Sequence, residues 1–432
     1  MNKEKFGRYF QFLLIVLAAG AIFPLIYLKT NYQETILEVF GMSLQQLNTI
    51  YSILGMVFVV GYFPSGVLSD KFSAKKLLAV SLFGTAIGGF WFAMVPSYTS
   101  VVMIFCIWGI FSVFTFWSSH MKLVKLLAKE NEEGKFFGIL DGGRGVVEAV
   151  LASIALMIFS NILGDSLEFA DKKAAIVAVI YMYSAALFLV AVLIAIFVED
   201  DKKIIAHNTN AKKVEKMKLV DILKLFKNKY VYLQGGIIFM GYAVFWTVYY
   251  LGGFLETNIG VSPVTVSTIM VIVLWMRPVG GIAGGFLADK IGKTTTIMGA
   301  LTGAAVCLLG TAILPVATGQ SIFYGLIVLL AVFLYAIRGT YWSLLGESKI
   351  DNAIMGTAIG VISFIGYLPD IILPIYNSFL FNTFGGNGGY NAYFISSAVI
   401  GLVGVGLVLV FAKMNRAESK NREKLTVEMQ NA

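Results

Sequence analysis

"GMSLQQLNTIYSILGMVFVVGYFPSGVLSDK" (residues 41–71) and "GVSPVTVSTIMVIVLWMRPVGGIAGGFLADK" (residues 260–290) are one segment written twice. The two align without a gap, and eleven positions are identical: Gly41, Ser43, Thr49, Ile50, Ile53, Val60, Gly61, Gly66, Leu68, Asp70 and Lys71, each with its partner in the second copy. Apolar composition alone does not produce that agreement. Each copy is an apolar run that closes on a small charged loop. A chain duplicated in this way is expected to fold as two related halves around a shared site, a transporter signature.

The surrounding sequence fixes the solvent. Of 432 residues, 58% are hydrophobic and 13% charged, and the mean hydropathy is +0.81. Soluble domains carry about 25% charge, so this composition predicts an integral membrane protein. Twelve apolar runs are long enough to cross a core of about 30 Å. They lie near 8–28, 44–69, 76–95, 99–121, 136–160, 175–198, 231–255, 263–288, 294–314, 320–346, 354–380 and 391–412. Unbroken apolarity over such lengths argues for spanning helices rather than surface ones. The expected fold is an all-α membrane protein: 12 transmembrane helices in two pseudo-symmetric six-helix bundles, 1–198 and 230–432. The lysine-rich segment 199–229 reads as a cytoplasmic linker, with a surface helix at 216–228.

Charge orients the chain. Of 33 Lys and Arg, 27 fall on one set of connections: the N-terminus, 70–77, 121–135, 199–229, 289–293, Lys349 and the tail from 413. Lys29, Lys172 and Lys173 fall on the other side, and Arg144, Arg277 and Arg338 lie inside spans. The positive-inside rule then places both termini in the cytoplasm, in an inner or plasma membrane. Basic residues spread over short loops exclude a nucleic-acid partner. Cys106 and Cys307 both lie in spans and suggest neither a disulfide nor a metal site. Met1–Leu28 lacks a cleavage-site pattern and reads as a retained helix.

"GVLSDKFSAKK" (66–76) and "GFLADKIGKT" (285–294) resemble the loop motif of the major facilitator superfamily, Gly-x-Leu-x-Asp-Arg/Lys-x-Gly-Arg/Lys, found between spans 2 and 3 and echoed between 8 and 9. Ser73 stands where the family has glycine. The resemblance implies a gating role for Gly66, Asp70, Lys71, Gly285, Asp289 and Lys290, with the two glycines permitting close helix contact. "GILDGGRGVVEAV" (138–150), "AIRGTYWSLLGE" (336–347) and "AIGVISFIGYLPDIILP" (358–374) are similar to a bacterial branch described as sugar-phosphate or nitrate-type permeases, and "RPVGG" (277–281) resembles the nitrate branch. Sugar-phosphate exchangers of the superfamily place arginines in spans 1 and 7; the interiors of those spans have none here.

The three membrane arginines are the candidates for chemistry. Arg277 lies twelve positions before Asp289, Arg144 nine after Lys135 and Arg338 nine before Glu347. At about 1.5 Å per residue these are depths of about 18, 13 and 13 Å, near the bilayer centre. An arginine there costs about 3 kcal/mol or more and keeps its proton, so it needs a wet cavity or a carboxylate. Arg277 aligns with Phe58 in the repeat, so the scaffold does not demand it. Together the three would hold a carboxylate or phosphate. Each has a structural alternative. Arg144 has Asp141 at i−3 and Glu148 at i+4; the family fold offers Arg277 a bridge to Glu148; Arg338 has packing at Gly339. Glu148, then Asp141, are candidates for proton coupling, and Asp370, between Pro369 and Pro374, for coupling or a hinge. His120 is expected at the cytoplasmic interface. Trp246, Tyr249, Tyr250, Tyr341 and Trp342 are candidates for stacking on an organic substrate, in spans that line the cavity in the family; ordinary packing is the alternative.

No phosphate-binding loop, HExxH or nucleophile elbow is present, so no enzyme is expected. Neither a cofactor nor a metal is expected. The sequence points to a secondary transporter, a monomer in the lipid bilayer, that moves a small organic anion by alternating access with a proton or counter-substrate, as a symporter in the first instance. The alternatives are a cation or drug efflux antiporter and a transporter-like sensor without turnover.

Overall fold

The structure is a computed structural model that describes residues 3–128, 133–201, 203–204, 228–347 and 355–430. The surface helix expected at 216–228 lies outside the described residues. Helices account for nearly everything that is described, and no strand occurs among those residues. In order they are α1 Lys3–Ile26, α2 Lys29–Phe40, α3 Leu44–Lys71, α4 Ala74–Phe92, α5 Tyr98–Gly109 and α6 Trp117–Leu127, joined by a π-helical turn Ile110–Thr115, α7 Glu133–Leu163 and α8 Phe169–Phe197. There follow α9 Lys229–Phe245, a 3₁₀ turn Trp246–Tyr250, α10 Leu251–Thr257, α11 Pro263–Ile291, α12 Lys293–Ile313, α13 Gln320–Thr340 with a 3₁₀ extension Tyr341–Glu347, α14 Met355–Gly366 and α15 Pro369–Gln430.

Among the described residues, ten helical stretches are long and apolar enough to cross a membrane, where the sequence suggested twelve. The difference has two sources. The run at 76–95 is the 19-residue helix α4, whose first turn carries Lys75 and Lys76, and it is not among the ten. The runs at 354–380 and 391–412 are joined: 361–417 is one stretch, kinked at Gly385 with φ +73°.

The chain forms two compact units. The first takes the described residues up to 204, with Val248–Pro278 and Asp370–Gly389; the second takes the rest. Within the first, α4 packs on α8, α1 on α7 and α8, and α3 on α5 and its π turn. Within the second, α12 packs on α13, and α9 on α14.

The repeat is visible in local structure. Gly41 and Gly260 both adopt a left-handed backbone, φ +60° and +73°, a conformation without cost for glycine. A serine cap follows each. Ser43 Oγ accepts from Gln46 N at 3.2 Å, and Gln46 Oε1 accepts from Ser43 N at 2.9 Å, a reciprocal capping box. Ser262 Oγ accepts more weakly from Thr265 N at 3.4 Å.

The two loop motifs differ in a way that explains Ser73. Its partner in the repeat, Gly292, has φ +94°, which a side chain resists. Ser73 has φ −61° and makes no cap hydrogen bond, so glycine is not required there. The cap comes instead from Asp201, just past α8. Its Oδ1 and Oδ2 accept from Ala74 N at 2.9 and 3.1 Å, and Lys122 Nζ of α6 lies 2.8 Å from it. One expectation needs correction. A Cβ on Gly66 or Gly285 would meet no described atom within 4 Å, so these glycines do not serve close helix contact here. In the second copy the contact falls at Gly280 and Gly284, where a Cβ would lie 2.5 Å from Val332 O and 3.0 Å from Ala336 Cα.

These helix starts can be tested by thermal unfolding of the purified protein in detergent. Gly292→Ser should cost about 1–2 kcal/mol of stability, whereas Ser73→Gly should stay within about 1 kcal/mol. Asp201→Ala, which removes a cap and an ion pair, should cost about 0.5–2 kcal/mol, with Asp201→Asn intermediate in the same assay.

Candidate functional site

The sequence "DGGRGVVE" (141–148) is placed on α7 so that Asp141, Arg144 and Glu148 are neighbours on one helical face, at i, i+3 and a further i+4. Glu148 is the hub. Arg144 Nε donates to its Oε1 at 3.0 Å, and Arg277 Nη1 of α11 donates to its Oε2. Arg277 Nη2 also reaches Asp141 Oδ1 at 3.3 Å. Gly145 makes room for this: a Cβ there would lie 2.8 Å from Arg277 Cδ. The side chains of Arg144, Arg277 and Glu148 are 15%, 11% and 12% exposed, and that of Asp141 is 74% exposed. The Arg144 guanidinium also lies 4.8 Å from the Phe23 ring centroid. Trp275 Nε1 donates to Ser153 Oγ at 3.2 Å, a second tie between α11 and α7. The buried part of the cluster therefore sets two permanent cations against one carboxylate. Asp141, in high dielectric, offsets this weakly.

In the second unit Arg338 is held by ring faces. Its guanidinium carbon lies 4.5 Å from the Phe245 centroid and 5.8 Å from that of Tyr242. Trp342 Nε1 donates to Tyr367 OH at 3.2 Å, and Tyr341 and Trp246 are buried at 1% exposure each. Tyr249 and Tyr250 lie in the first unit, Tyr249 stacked on Tyr27 at 4.7 Å and Tyr250 fully buried. Asp370, at the start of α15, is buried beside Gly55 of α3, where a Cβ would strike its backbone. Of the gating set, Asp289 and Lys290 are exposed, as is Lys71; for Asp70 the backbone alone is described. His120 is buried, stacked on Phe116 at 4.7 Å, with Nδ1 3.2 Å from Phe116 O.

The chain matches the Major Facilitator Superfamily over residues 8–374. It belongs to that superfamily. Relatives in the superfamily include inner membrane protein YqcE of Escherichia coli (strain K12), 28% identical over 97% of this chain and 98% of that protein. The hexuronate transporter of Bacillus subtilis (strain 168) is 25% identical over 84% of this chain and 86% of that protein. A solved superfamily fold, a bacterial homolog of the human lysosomal transporter Spinster, superposes with TM-score 0.74 at 13% identity, covering 96% of this chain and 98% of the other. The nucleoside transporter NupG gives 0.68 at 16%, covering 94% and 99%. The protein is thus a multi-pass membrane protein of a transporter superfamily, which points away from an enzyme.

One residue was missed. The sequence puts Lys29 on a loop after the first span; the structure buries it at 1% exposure. Its Nζ sits over the rings of Tyr51 and Tyr250, 4.2 and 4.3 Å from their centroids. The signal available was "YLKTNYQ" (27–33), a lone lysine bracketed by tyrosines at a span end.

The ion cluster makes a prediction. Arg277→Ala and Glu148→Ala should each cost about 3–5 kcal/mol, while the double variant should cost less than their sum, by about 0.5–3 kcal/mol. Additive losses in a thermal-unfolding cycle would mean that the pair contributes no coupling.

Proposed function

We propose that this protein is a secondary transporter that carries a small organic anion of carboxylate or sugar-phosphate type by alternating access, coupled to protons. Two six-helix bundles, 1–198 and 230–432, would move about the linker 199–229, with both termini in the cytoplasm and a single chain as the working unit.

The observation that carries this reading is Glu148 held between Arg144 and Arg277. Arg144 and Arg277 would favour a substrate anion whenever Glu148 is protonated. Protonation of Glu148 would release donors on both arginines to a substrate carboxylate. Loss of that proton would return Glu148 to them and expel the substrate. Substrate and proton thus bind together and leave together, which is symport. Asp141, exposed and beside Arg277, offers the proton a route to and from Glu148. In the second unit Arg338, with Tyr341 and Trp342 nearby in sequence, is the corresponding candidate for an organic anion. The hexuronate transporter among the relatives fits a carboxylate cargo.

Counterflow and pH-jump uptake into proteoliposomes test this, with carboxylates, hexuronates, sugar phosphates, nitrate, neutral sugars and lipophilic cations as the panel. Anion accumulation driven by a proton gradient is expected, and Glu148→Gln should abolish the gradient-driven component while sparing anion exchange. Accumulation of cations alone would reverse the reading into an efflux antiporter. Binding without turnover would make the protein a sensor.

A further inference from the structure

A polar cluster in the first unit gathers around one cation, Lys29, and interrupted helical runs supply it. α1 stops at Ile26, and Tyr27–Leu28 form a turn before α2 begins at Lys29; within α2, Tyr32 departs from helical geometry with φ −136°. Tyr250 closes the 3₁₀ turn that follows α9. Asn377 lies on α15, which starts at Pro369 and has Pro374 inside it. Interrupted helices at membrane depth are tolerated where they line a protein-enclosed site, and transporters build substrate sites from them.

The polar groups gathered there form a chain. Tyr250 OH donates to Asn48 Oδ1 at 2.9 Å, and Asn48 Nδ2 donates to Asn377 Oδ1 at 3.2 Å. Asn48 and Asn377 are both fully buried. The Nδ2 of Asn377 finds no hydrogen-bond acceptor among the described residues, an orphaned donor of the kind that calls for explanation. Lys29 opens α2, whose first turn holds no acidic residue and whose cap position, Leu28, supplies no side-chain acceptor. Two tyrosine faces offset part of the cost of burying it. Tyr27, stacked between Tyr51 at 5.5 Å and Tyr249 at 4.7 Å, extends the aromatic wall.

From this arrangement we infer that Lys29, Asn48, Asn377 and Tyr250 form a substrate subsite for a small polyhydroxylated carboxylate, a sugar acid. The inference rests on the anion-transport reading and narrows it. One ammonium matches one carboxylate; a phosphate dianion would call for a second cation or an arginine fork. The open Asn377 donor and the Asn48–Tyr250 pair suit hydroxyl groups, and the tyrosine faces suit the ring carbons. In this structure the rings of Tyr51 and Tyr250 cover the ammonium, and binding would require them to part.

Thermal-shift titration of the purified full-length protein tests the subsite. The probes are glucuronate, gluconate, acetate, glucose, glucose 6-phosphate and a lipophilic cation. The variants are Lys29→Met, Lys29→Arg, Asn377→Leu and Arg277→Gln. A sugar acid should stabilise the wild type. Lys29→Met should weaken it roughly tenfold or more through loss of a charge-assisted contact, and Lys29→Arg, which keeps the charge but not the shape of the ammonium, should recover part of that loss. Asn377→Leu should weaken glucuronate more than acetate. Lys29→Cys in a Cys106→Ser/Cys307→Ser background should recover binding on modification with an aminoethyl thiosulfonate, which restores an ammonium and separates charge from folding. Sugar-acid affinity unchanged in Lys29→Met but lost in Arg277→Gln would overturn the subsite and leave anion transport standing. Stabilisation by the cation or by glucose alone would overturn both.

Discussion

Inside hydrocarbon no water is available for an unsatisfied backbone group, so every N–H and C=O of a spanning segment must find a partner within the protein. That constraint governs where this chain departs from regular helix. Four departures stand out: the turn after Ile26, the π turn at Ile110–Thr115, the 3₁₀ turn at Trp246–Tyr250 and the restart at Pro369. Local groups satisfy them. Tyr51 OH donates to Ile26 O at 2.6 Å at the end of α1. Ser112 and Thr115 hydroxyls donate to Trp108 O and Phe111 O across the π turn. Thr247 Oγ1 donates to Val244 O at 2.8 Å in the 3₁₀ turn. Ser52 Oγ reaches Ile371 O at 3.4 Å where α15 begins. Polar side chains in this protein are thus drawn to helix interruptions, and the interruptions in turn are the sites where polar chemistry gathers.

The same low dielectric governs charge. Arg144 and Arg277 cannot shed their protons, and the protein answers with a carboxylate that bridges both. Lys29 is answered differently, by two aromatic faces, because an ammonium on a flexible stem can be met by quadrupoles where a fork of donors asks for oxygens. Lys172, nearer the helix ends, has an ordinary partner: its Nζ lies 2.6 Å from Glu38, whose side chain is 42% exposed. That pair contributes little, because water screens it.

Much of this was legible in the sequence, and for physical reasons. Apolar runs, the asymmetry of lysines and the internal repeat are properties read directly along the chain, and they carry the fold. The Asp141–Arg144–Glu148 face was legible because helical spacing alone makes it. The bridge from Arg277 to Glu148 was visible only as an option, since the two sit on helices far apart in sequence and tertiary packing decides the partner. Lys29 was not legible. Span ends and loops share a composition, and its burial depends on Tyr250, which lies in a distant part of the chain. Gly66 and Gly285 were misread because a glycine in a motif does not say which neighbour it accommodates. Ser73 shows the converse. Its departure from the loop motif has no meaning until the backbone is seen, and then φ at Ser73 and Gly292 explains both residues.

The first unit thus holds cations in two settings of different character. The arginine cluster has its own internal carboxylate, and that makes it responsive: whatever changes the charge on Glu148 changes what the arginines can bind. The lysine site is lined by tyrosine faces and amide groups, which would select a ligand by shape and hydrogen bonding. A transporter that must both recognise a cargo and couple its movement to a proton needs one element of each kind. A coupling carboxylate placed at the recognition cation would neutralise it between cycles, and a recognition cation without a linked acid would bind regardless of the gradient. On the proposed reading the cargo carboxylate would meet Lys29 for recognition and the arginine pair only while Glu148 is protonated, so the two sites would act in turn.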